Sequence, residues 1–256
     1  MDARDTTTGG PNNIEIAYNN VHHQVGGRGI QIFGDTGTLI NNVRIHHNLV
    51  HHIALDGIIL SADTGVGMQV YNNVVYHTAD PTLLVPGTDS GQSGGCLRFA
   101  GGVTGSYNPV VPTLEAEVYN NTFVDCAADN DPDSALLRIQ YAKKLTIRNN
   151  ILGAPGMINW LQDTSGSGQH ASNADVLNIL NASNNLWVGS TPPTWDSSPV
   201  TGDPMFVDAA ARNYHVLSGS PAIDRGSSLV NTVVRTDYDG VPRPQGTGFD
   251  IGAYEQ

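Results

Sequence analysis

Two arginines recur at the same place in two short apolar segments. Arg98 and Arg138 each lie between two apolar residues, and Gln140 follows two residues after Arg138. Side chains two residues apart share one face of a strand. A guanidinium donates parallel N–H groups to carboxylates or to paired hydroxyls. These residues therefore predict a polar strip that could bind an extended ligand.

Further candidates extend this strip in both directions along the chain. Gln31 and Phe33 have the same spacing in an earlier segment, Gly29–Phe33, and we expect them on the same face. Trp160 and Tyr107 could add aromatic surfaces at its ends. The alternative is an ordinary solvated sheet face with Trp160 in the core.

Histidine pairs suggest a second kind of chemistry. Counted from Asn20, Asn48 and Asn73, which recur once per repeat, His23 shares an offset with His51, and His52 shares another with His77. Stacked imidazoles could bind a transition metal, or they could form a polar ladder at a turn. The histidines concerned are His22, His23, His46, His47, His51, His52 and His77.

Acidic residues at turn-like positions are candidates for a calcium site. Asp35 and Asp63 each precede Thr-Gly at the end of a segment, and Asp129 and Asp131 belong to an acidic run. Calcium takes six to eight oxygen ligands. Ordinary turn chemistry explains the same residues, so calcium is possible but not required.

A repeated phrase, an apolar residue followed shortly by Asn-Asn and more apolar residues, organises these candidates. An Asn at a sharp corner tolerates the left-handed conformation, and its amide can hydrogen-bond the next Asn in a stack. We take the second Asn as the marker of each repeat. The markers are Asn20, Asn48, Asn73, Asn121, Asn150 and Asn185.

A second short segment lies between the markers and is usually entered through glycine, as at Gly29, Gly57 and Gly95. Such segments are too short for helices and are rich in β-branched residues. The pattern predicts an all-β fold, a single right-handed parallel β-helix of stacked coils with an irregular C-terminal cap. We assign residues 1–11 to a linker, 12–200 to the coils and 201–256 to the cap of the same domain.

Charge and hydropathy limit the classes of partner. The formal net charge is −12, with 12 basic and 24 acidic residues. That charge disfavours nucleic acid, and it disfavours polyanionic glycans unless a cation or a local basic patch reverses it. No apolar run is long enough to span a membrane.

Two cysteines, Cys96 and Cys126, lie in successive repeats. They could pair, but buried free thiols are the simpler interpretation, since two cysteines do not make a disulfide framework.

The Asn-Asn repeats over 12–190 resemble the right-handed parallel β-helix superfamily, the fold of pectate lyases. The end of the chain resembles the choice-of-anchor Q surface proteins, which implies a secreted or cell-surface protein. The segments that carry this second resemblance are 203–208, 214–217, 220–226, 237–244 and 250–255. In this end segment we expect Asp224, Arg225, Asp237, Asp239 and Arg243 to form hydrogen bonds of the cap.

Three functions are compatible with this fold class, because a fold alone does not decide function. We favour a non-catalytic carbohydrate-binding module for a neutral or lightly charged plant polysaccharide, xylan first, linked covalently to a catalytic domain. This module loosely resembles the β-helical binding modules of xylan-degrading enzymes. The alternatives are a polysaccharide lyase or other polysaccharide-active enzyme using Arg98, Arg138 and Asp56, and a structural or adhesive surface segment.

Overall fold

A computed structural model of the chain describes residues 2–3, 12–34, 40–61, 64–87, 93–100, 113–129, 131, 134–140, 142–153, 161–163 and 179–256. Within these ranges the protein is built from strands and two short 3-10 helices, Pro81–Leu83 and Ser228–Val230. No helix of the described residues is long and apolar enough to cross a membrane.

The strands form three parallel sheets, which we call A, B and C. Sheet A contains β1 (Asp2–Ala3), β4 (Ile30–Phe33), β7 (Ile58–Ser61), β10 (Leu97–Ala100), β13 (Leu137–Gln140) and β16 (Leu161–Asp163). Sheet B contains β2 (Asn12–Ala17), β5 (Asn41–His46), β8 (Thr64–Tyr71), β11 (Thr113–Tyr119), β14 (Ala142–Arg148) and β17 (Leu180–Ser183). Sheet C contains β3 (Asn20–Gln24), β6 (Leu49–Ile53), β9 (Val74–Thr78), β12 (Thr122–Val124), β15 (Ile151–Gly153), β18 (Leu186–Val188) and β19 (Val200–Thr201).

Successive strands from β1 to β18 visit the sheets in the order A, B, C, and each pairs with the strand three places along. The chain therefore advances in coils of three strands, and the predicted all-β class and parallel pairing are confirmed. Alternate residues of each strand point into the coil, where Leu97, Phe99, Leu137 and Ile139 are fully buried. Burial of each such side chain contributes about 1.5–3 kcal/mol.

A ladder of asparagines runs through the corner between sheets B and C. Each buried amide accepts from the backbone N and Nδ2 of the preceding member, as Asn121 Oδ1 does from Asn73 at 3.0 Å for both contacts. The ladder ends at Asp196, which accepts from Asn185 Nδ2 and Trp187 Nε1. Its asparagines are Asn19, Asn48, Asn73, Asn121, Asn150 and Asn185.

Two details of the predicted ladder are corrected. The first member is Asn19 rather than Asn20, because β3 pairs Asn20 with Leu49. The left-handed conformation belongs to the preceding residue of each pair, such as Asn72 (φ 51°) and Asn120 (φ 50°). The two roles expected of one Asn are therefore divided between two neighbours.

The offset of the histidines changes for the same reason. His22 stacks on His51 with ring centroids 5.1 Å apart, and His23 stacks on His52 at 4.8 Å. The predicted alignment of His23 with His51 is wrong by one residue, while that of His52 with His77 is found, at 4.7 Å.

Residues 201–256 lie along the side of the coils rather than closing their end. Val216 and Ile251 pack on Ile151 and Leu186 of sheet C. Four asparagines of successive coils, Asn184, Asn149, Asn120 and Asn72, donate hydrogen bonds to the backbone carbonyls of Arg225, Ser227, Asp250 and Thr236. It contains one antiparallel pair, β20 (Phe206–Asp208) with β21 (Asn213–Val216).

Four of the five residues expected to hydrogen-bond in this segment do so through their side chains, whereas Arg225 takes part only through its backbone carbonyl, which accepts from Asn184. Arg243 is buried and pairs with Glu255 at 2.7 Å, and Asp237 accepts from three backbone N–H groups. Asp224 accepts from the backbone N of Gly248 at 2.7 Å. Asp239 pairs with His215. Because the segment covers much of the outward side of sheet C, the outward faces of sheets A and B are the ones left to bind ligands.

Cys96 and Cys126 form a disulfide, with Cα atoms 5.4 Å apart. The interpretation as free thiols is therefore wrong. Both residues are buried, and their sequence separation of 30 is less than the full coil that runs from Leu97 to its sheet A partner Leu137.

Candidate functional site

The predicted strip lies on the outward face of sheet A. Pairing of β4, β7, β10 and β13 places Gln31, Ile59, Arg98 and Arg138 in one row across four coils. Strand alternation was sufficient to predict this row, because Leu97 and Phe99 are fixed inward.

A second row holds the other predicted strand positions. Phe33 pairs with Ser61, and Ala100 pairs with Gln140. Gln31 and Phe33 are half-buried, while Ile59 and Ser61 are buried. The face is thus partly covered and not an open solvated strip.

The centre of the face is an arginine cluster, which we define as Arg28, Arg98 and Arg138 around Asp56. Asp56 is fully buried, and its carboxylate lies 3.3 Å from Arg28 Nε, 3.5 Å from Arg98 Nη1 and 3.1 Å from Arg138 Nη1. Three positive charges and one negative charge leave a net charge of +2 on these four side chains. Among these four described side chains, positive charge therefore exceeds negative charge, although the whole protein is acidic.

Two turns and a glycine build this cluster. Arg28 and Asp56 occupy equivalent turn positions, each just before the glycine that enters sheet A. In the next coil, Gly95 occupies the position that Arg28 and Asp56 hold in theirs. A Cβ on Gly95 would clash with the Ala135 carbonyl and lie 3.3 Å from Arg138 Cδ. The absence of a side chain at Gly95 lets Arg138 reach Asp56 across the intervening coil.

The three arginines differ in access to solvent. Arg138 is 9% exposed and is held by Ser93, whose carbonyl and hydroxyl accept at 2.7 and 2.6 Å. Arg98 and Arg28 keep 18% and 27% of their side chains exposed. Arg98 and Arg28 can therefore meet a ligand, whereas Arg138 and Asp56 position them.

Burial lowers the pKa of Arg98, Asp56 raises it, and the neighbouring charges of Arg138 and Arg28 lower it further. A second anion next to Arg98 would relieve that repulsion. Planar guanidinium groups bind carboxylates through paired N–H donors. The arrangement therefore suits a carboxylate ligand.

The sequence did not single out Arg28. A signal was present, because Gly27-Arg28-Gly29 stands one coil before Leu55-Asp56-Gly57 in the same turn. Comparison of the two turns would have placed a basic side chain over an acidic one.

Several predicted candidates lie outside the described residues: Tyr107, Trp160, Asp35, Asp63 and the side chain of Gln140. Asp129 accepts from Ser134 Oγ at 2.9 Å and from the backbone N of Asp131 at 3.2 Å, which is a turn role. Burial raises the pKa of Asp129, and its hydrogen bonds lower it. Across the described ranges, no three His, Cys, Asp or Glu residues converge as metal ligands.

Comparisons with known proteins add little to this geometry. No protein-family model matches the chain, and no curated protein matches it. The chain is similar to the crystal structure of pectate lyase Pel9A, with a TM-score of 0.31 and 12% identity over 100% of this chain and 86% of that one. The resemblances to choice-of-anchor Q proteins and to xylan-binding modules have no family match behind them.

Proposed function

We propose that this chain binds an extended polysaccharide across the outward face of sheet A, and that the arginine cluster receives a uronate carboxylate of that polymer. The observation that carries the proposal is the net charge of +2 around Asp56. It supplies the local basic patch without which the overall charge of −12 disfavours acidic glycans.

Arg28 and Arg98 would contact the carboxylate, since both retain exposed surface. Gln31 lies in the same row and would bond hydroxyls of the next sugar. A lightly charged xylan that carries uronate branches fits this arrangement better than an unsubstituted neutral chain, because only the branch would use the cluster.

We favour binding without catalysis. Asp56 is fully buried and engaged by three guanidinium groups, so it cannot approach a substrate proton as a base. The catalytic role considered for Asp56 is therefore abandoned, and it becomes a positioning residue.

A second candidate function is β-elimination, which the two partly exposed guanidinium groups of Arg98 and Arg28 on one carboxylate favour. Burial, which lowers the pKa of Arg98, acts in the same direction. In that reaction a base removes the proton at C5 of a uronate, the bond between C4 and the glycosidic oxygen breaks as a C4–C5 double bond forms, and the departing oxygen takes a proton from water. Arg98 would be the base and Arg28 would neutralise the carboxylate.

The remaining proposals concern the handedness of the fold, the location of the protein, a linked domain and calcium. The rotation of strands through three sheets suits a single right-handed β-helix, because parallel crossovers are right-handed in about 98% of cases. The Cys96–Cys126 disulfide supports a secreted or cell-surface location. A covalently linked catalytic domain and an optional calcium ion belong to the same proposal.

Isothermal titration tests it with oligogalacturonate, glucuronoxylan oligosaccharides and neutral xylohexaose, each with calcium and with EDTA. Saturable binding of a uronate-bearing ligand, weakened about tenfold or more by Arg98→Ala and unchanged by the exposed Arg225→Ala, would support the proposal. Equal binding by Arg98→Ala would refute it. Ultraviolet absorbance from unsaturated products would show that the protein is a lyase rather than a binding protein.

A further inference from the structure

Sheet B carries two adjoining hollows on its outward face. One, of ≈ 320 Å³, is lined by Asn13, Asn42, Arg44, Gly67 and Gln69. The other, of ≈ 290 Å³, shares Gly67 and Gln69 and continues across the next coils to Glu115, Glu117, Lys144 and Thr146. The shared residues join the hollows into one groove that crosses the coils.

Strand register explains the direction of this groove. The pairs of sheet B align Arg44, Gln69, Glu117 and Thr146 in one row, with Glu15 before them and Asn181 after them. Six strands spaced about 4.8 Å apart give a row about 24 Å long. A polymer lying along the row would meet one polar side chain per coil.

A column of left-handed residues shapes one wall. Asn13, Asn42 and Gly67 have φ values of 63°, 54° and 71° in three successive coils. A Cβ on Gly67 would lie 2.7 Å from Asn42 Oδ1, so any side chain there would enter the groove. Irregular strand positions of this kind occur next to binding sites.

The groove is electrically neutral, unlike the arginine cluster. Arg44 and Lys144 balance Glu115 and Glu117. The bordering Glu15 and Lys143, which pair with Arg44 (3.5 Å) and Glu115 (2.7 Å), balance each other. Gln69 donates to Glu117 at 2.9 Å. Carboxylates that face the ligand would repel a uronate, whereas amide, guanidinium and carboxylate groups together donate to and accept from sugar hydroxyls.

We propose that the outward face of sheet B is a second glycan-binding site, which takes a neutral oligosaccharide with sugar rings in the two hollows. Hollows of this size are at the lower end of ligand pockets, which fits single sugar rings rather than a bulky ligand. This site is separate from the proposed function in both its face and the charge of its ligand.

The test measures binding of neutral xylo-, cello- and mannohexaose by calorimetry. At least one hexasaccharide is expected to bind, and Arg44→Ala and Gln69→Ala should each weaken it about tenfold. Arg44 is half exposed, so its replacement leaves the fold intact. Arg225→Ala, an exposed residue of the segment 201–256, is the control that should bind as the unaltered chain does, and Arg98→Ala reports whether the neutral ligand binds on sheet A instead.

Two results would overturn the second site. One is the absence of saturable binding to all three hexasaccharides. The other is binding lost in Arg98→Ala but kept in Gln69→Ala, which would place the neutral glycan on sheet A. Binding of the uronate ligand is measured separately, so failure of the proposed function leaves this test readable.

Discussion

The Nδ1 atoms of His46 and His47 lie 2.7 Å apart, and both rings use Nε2 for another contact. His46 Nε2 lies 2.8 Å from Glu15 Oε1, and His47 Nε2 lies 2.8 Å from the carbonyl of Asp237. Three contacts need three hydrogens, but two neutral imidazoles carry only two. With Glu15 ionised, the third hydrogen must come from a second proton on one of the two rings, and burial, which lowers the pKa of both rings, opposes that proton.

We predict that Glu15→Gln lowers the pKa of His46. Burial lowers this pKa in the native protein, and the hydrogen bond and charge of Glu15 raise it. An amide can donate to His46 Nε2, so the variant completes the chain with two neutral rings. Titration of the ring nitrogens by NMR measures the change. Glu117→Gln is the control, and an unchanged His46 pKa in Glu15→Gln would contradict the role of Glu15 in raising that pKa.

A second prediction concerns acid stability. His51 stacks between His22 and Tyr76, and its burial, followed by the charges of His52 and His22, lowers its pKa to about 4. A histidine whose folded pKa lies below its unfolded value of about 6.5 stabilises the fold above that value. This contribution is lost as the pH falls from about 6.5 towards 4.

Replacement of His51 by Tyr, the residue that follows it in the stack, should reduce the loss of stability between pH 7 and pH 5. Urea midpoints at the two pH values measure that loss. His215→Tyr, at a partly exposed position of β21, should behave as the unaltered chain does. The prediction is wrong if His51→Tyr loses as much stability between pH 7 and pH 5 as the unaltered chain does.

Much of the architecture was predictable because its rules are local. Alternation at period two fixes Leu97 inward and Arg98 outward, and glycine marks the entry to sheet A at β4 and β7. The ladder was predictable as a motif, but a doubled Asn leaves its register open by one residue, so Asn20 was chosen in place of Asn19.

The arginine cluster was only partly predictable, because its contacts join distant parts of the chain. Arg28 precedes Asp56 by 28 residues, and Arg138 follows it by 82. Which coils come together depends on loop lengths that do not follow the repeat. The sequence did not predict that 201–256 packs against the side of the coils, for a related reason. A stack of coils has apolar surface at its end and on its side, and the sequence does not show which of the two a segment buries.

The ladder makes a third prediction. Asn121 accepts from Asn73 and donates to Asn150 Oδ1 and the carbonyl of Val70, and all these groups are buried. Asn121→Ala would leave several buried groups unpaired and should lower the free energy of unfolding by about 4 kcal/mol. Urea denaturation measures it. The exposed Asn181→Ala should cost no more than about 0.5 kcal/mol, and equal effects of the two would contradict the ladder's role.

The arginine cluster gives the last prediction. Asp56→Asn removes the only negative charge among four contacting side chains, so three guanidinium groups then repel one another in a buried site. Loss of one partner of a buried ion pair costs about 3–5 kcal/mol. We expect Asp56→Asn to lower the free energy of unfolding by about 3 kcal/mol, and sulfate to restore part of it by taking the place of the carboxylate.

A double-mutant cycle decides whether this loss comes from the arginines. Arg98→Ala removes one of the repelling charges, so Asp56→Asn should cost less in the Arg98→Ala background than in the parent. Asp239→Asn, an exposed acid paired with His215, is the control and should be insensitive to Arg98. Strict additivity between positions 56 and 98 would mean that Asp56 does not hold Arg98 in place, and the ligand geometry proposed for sheet A would lose its basis.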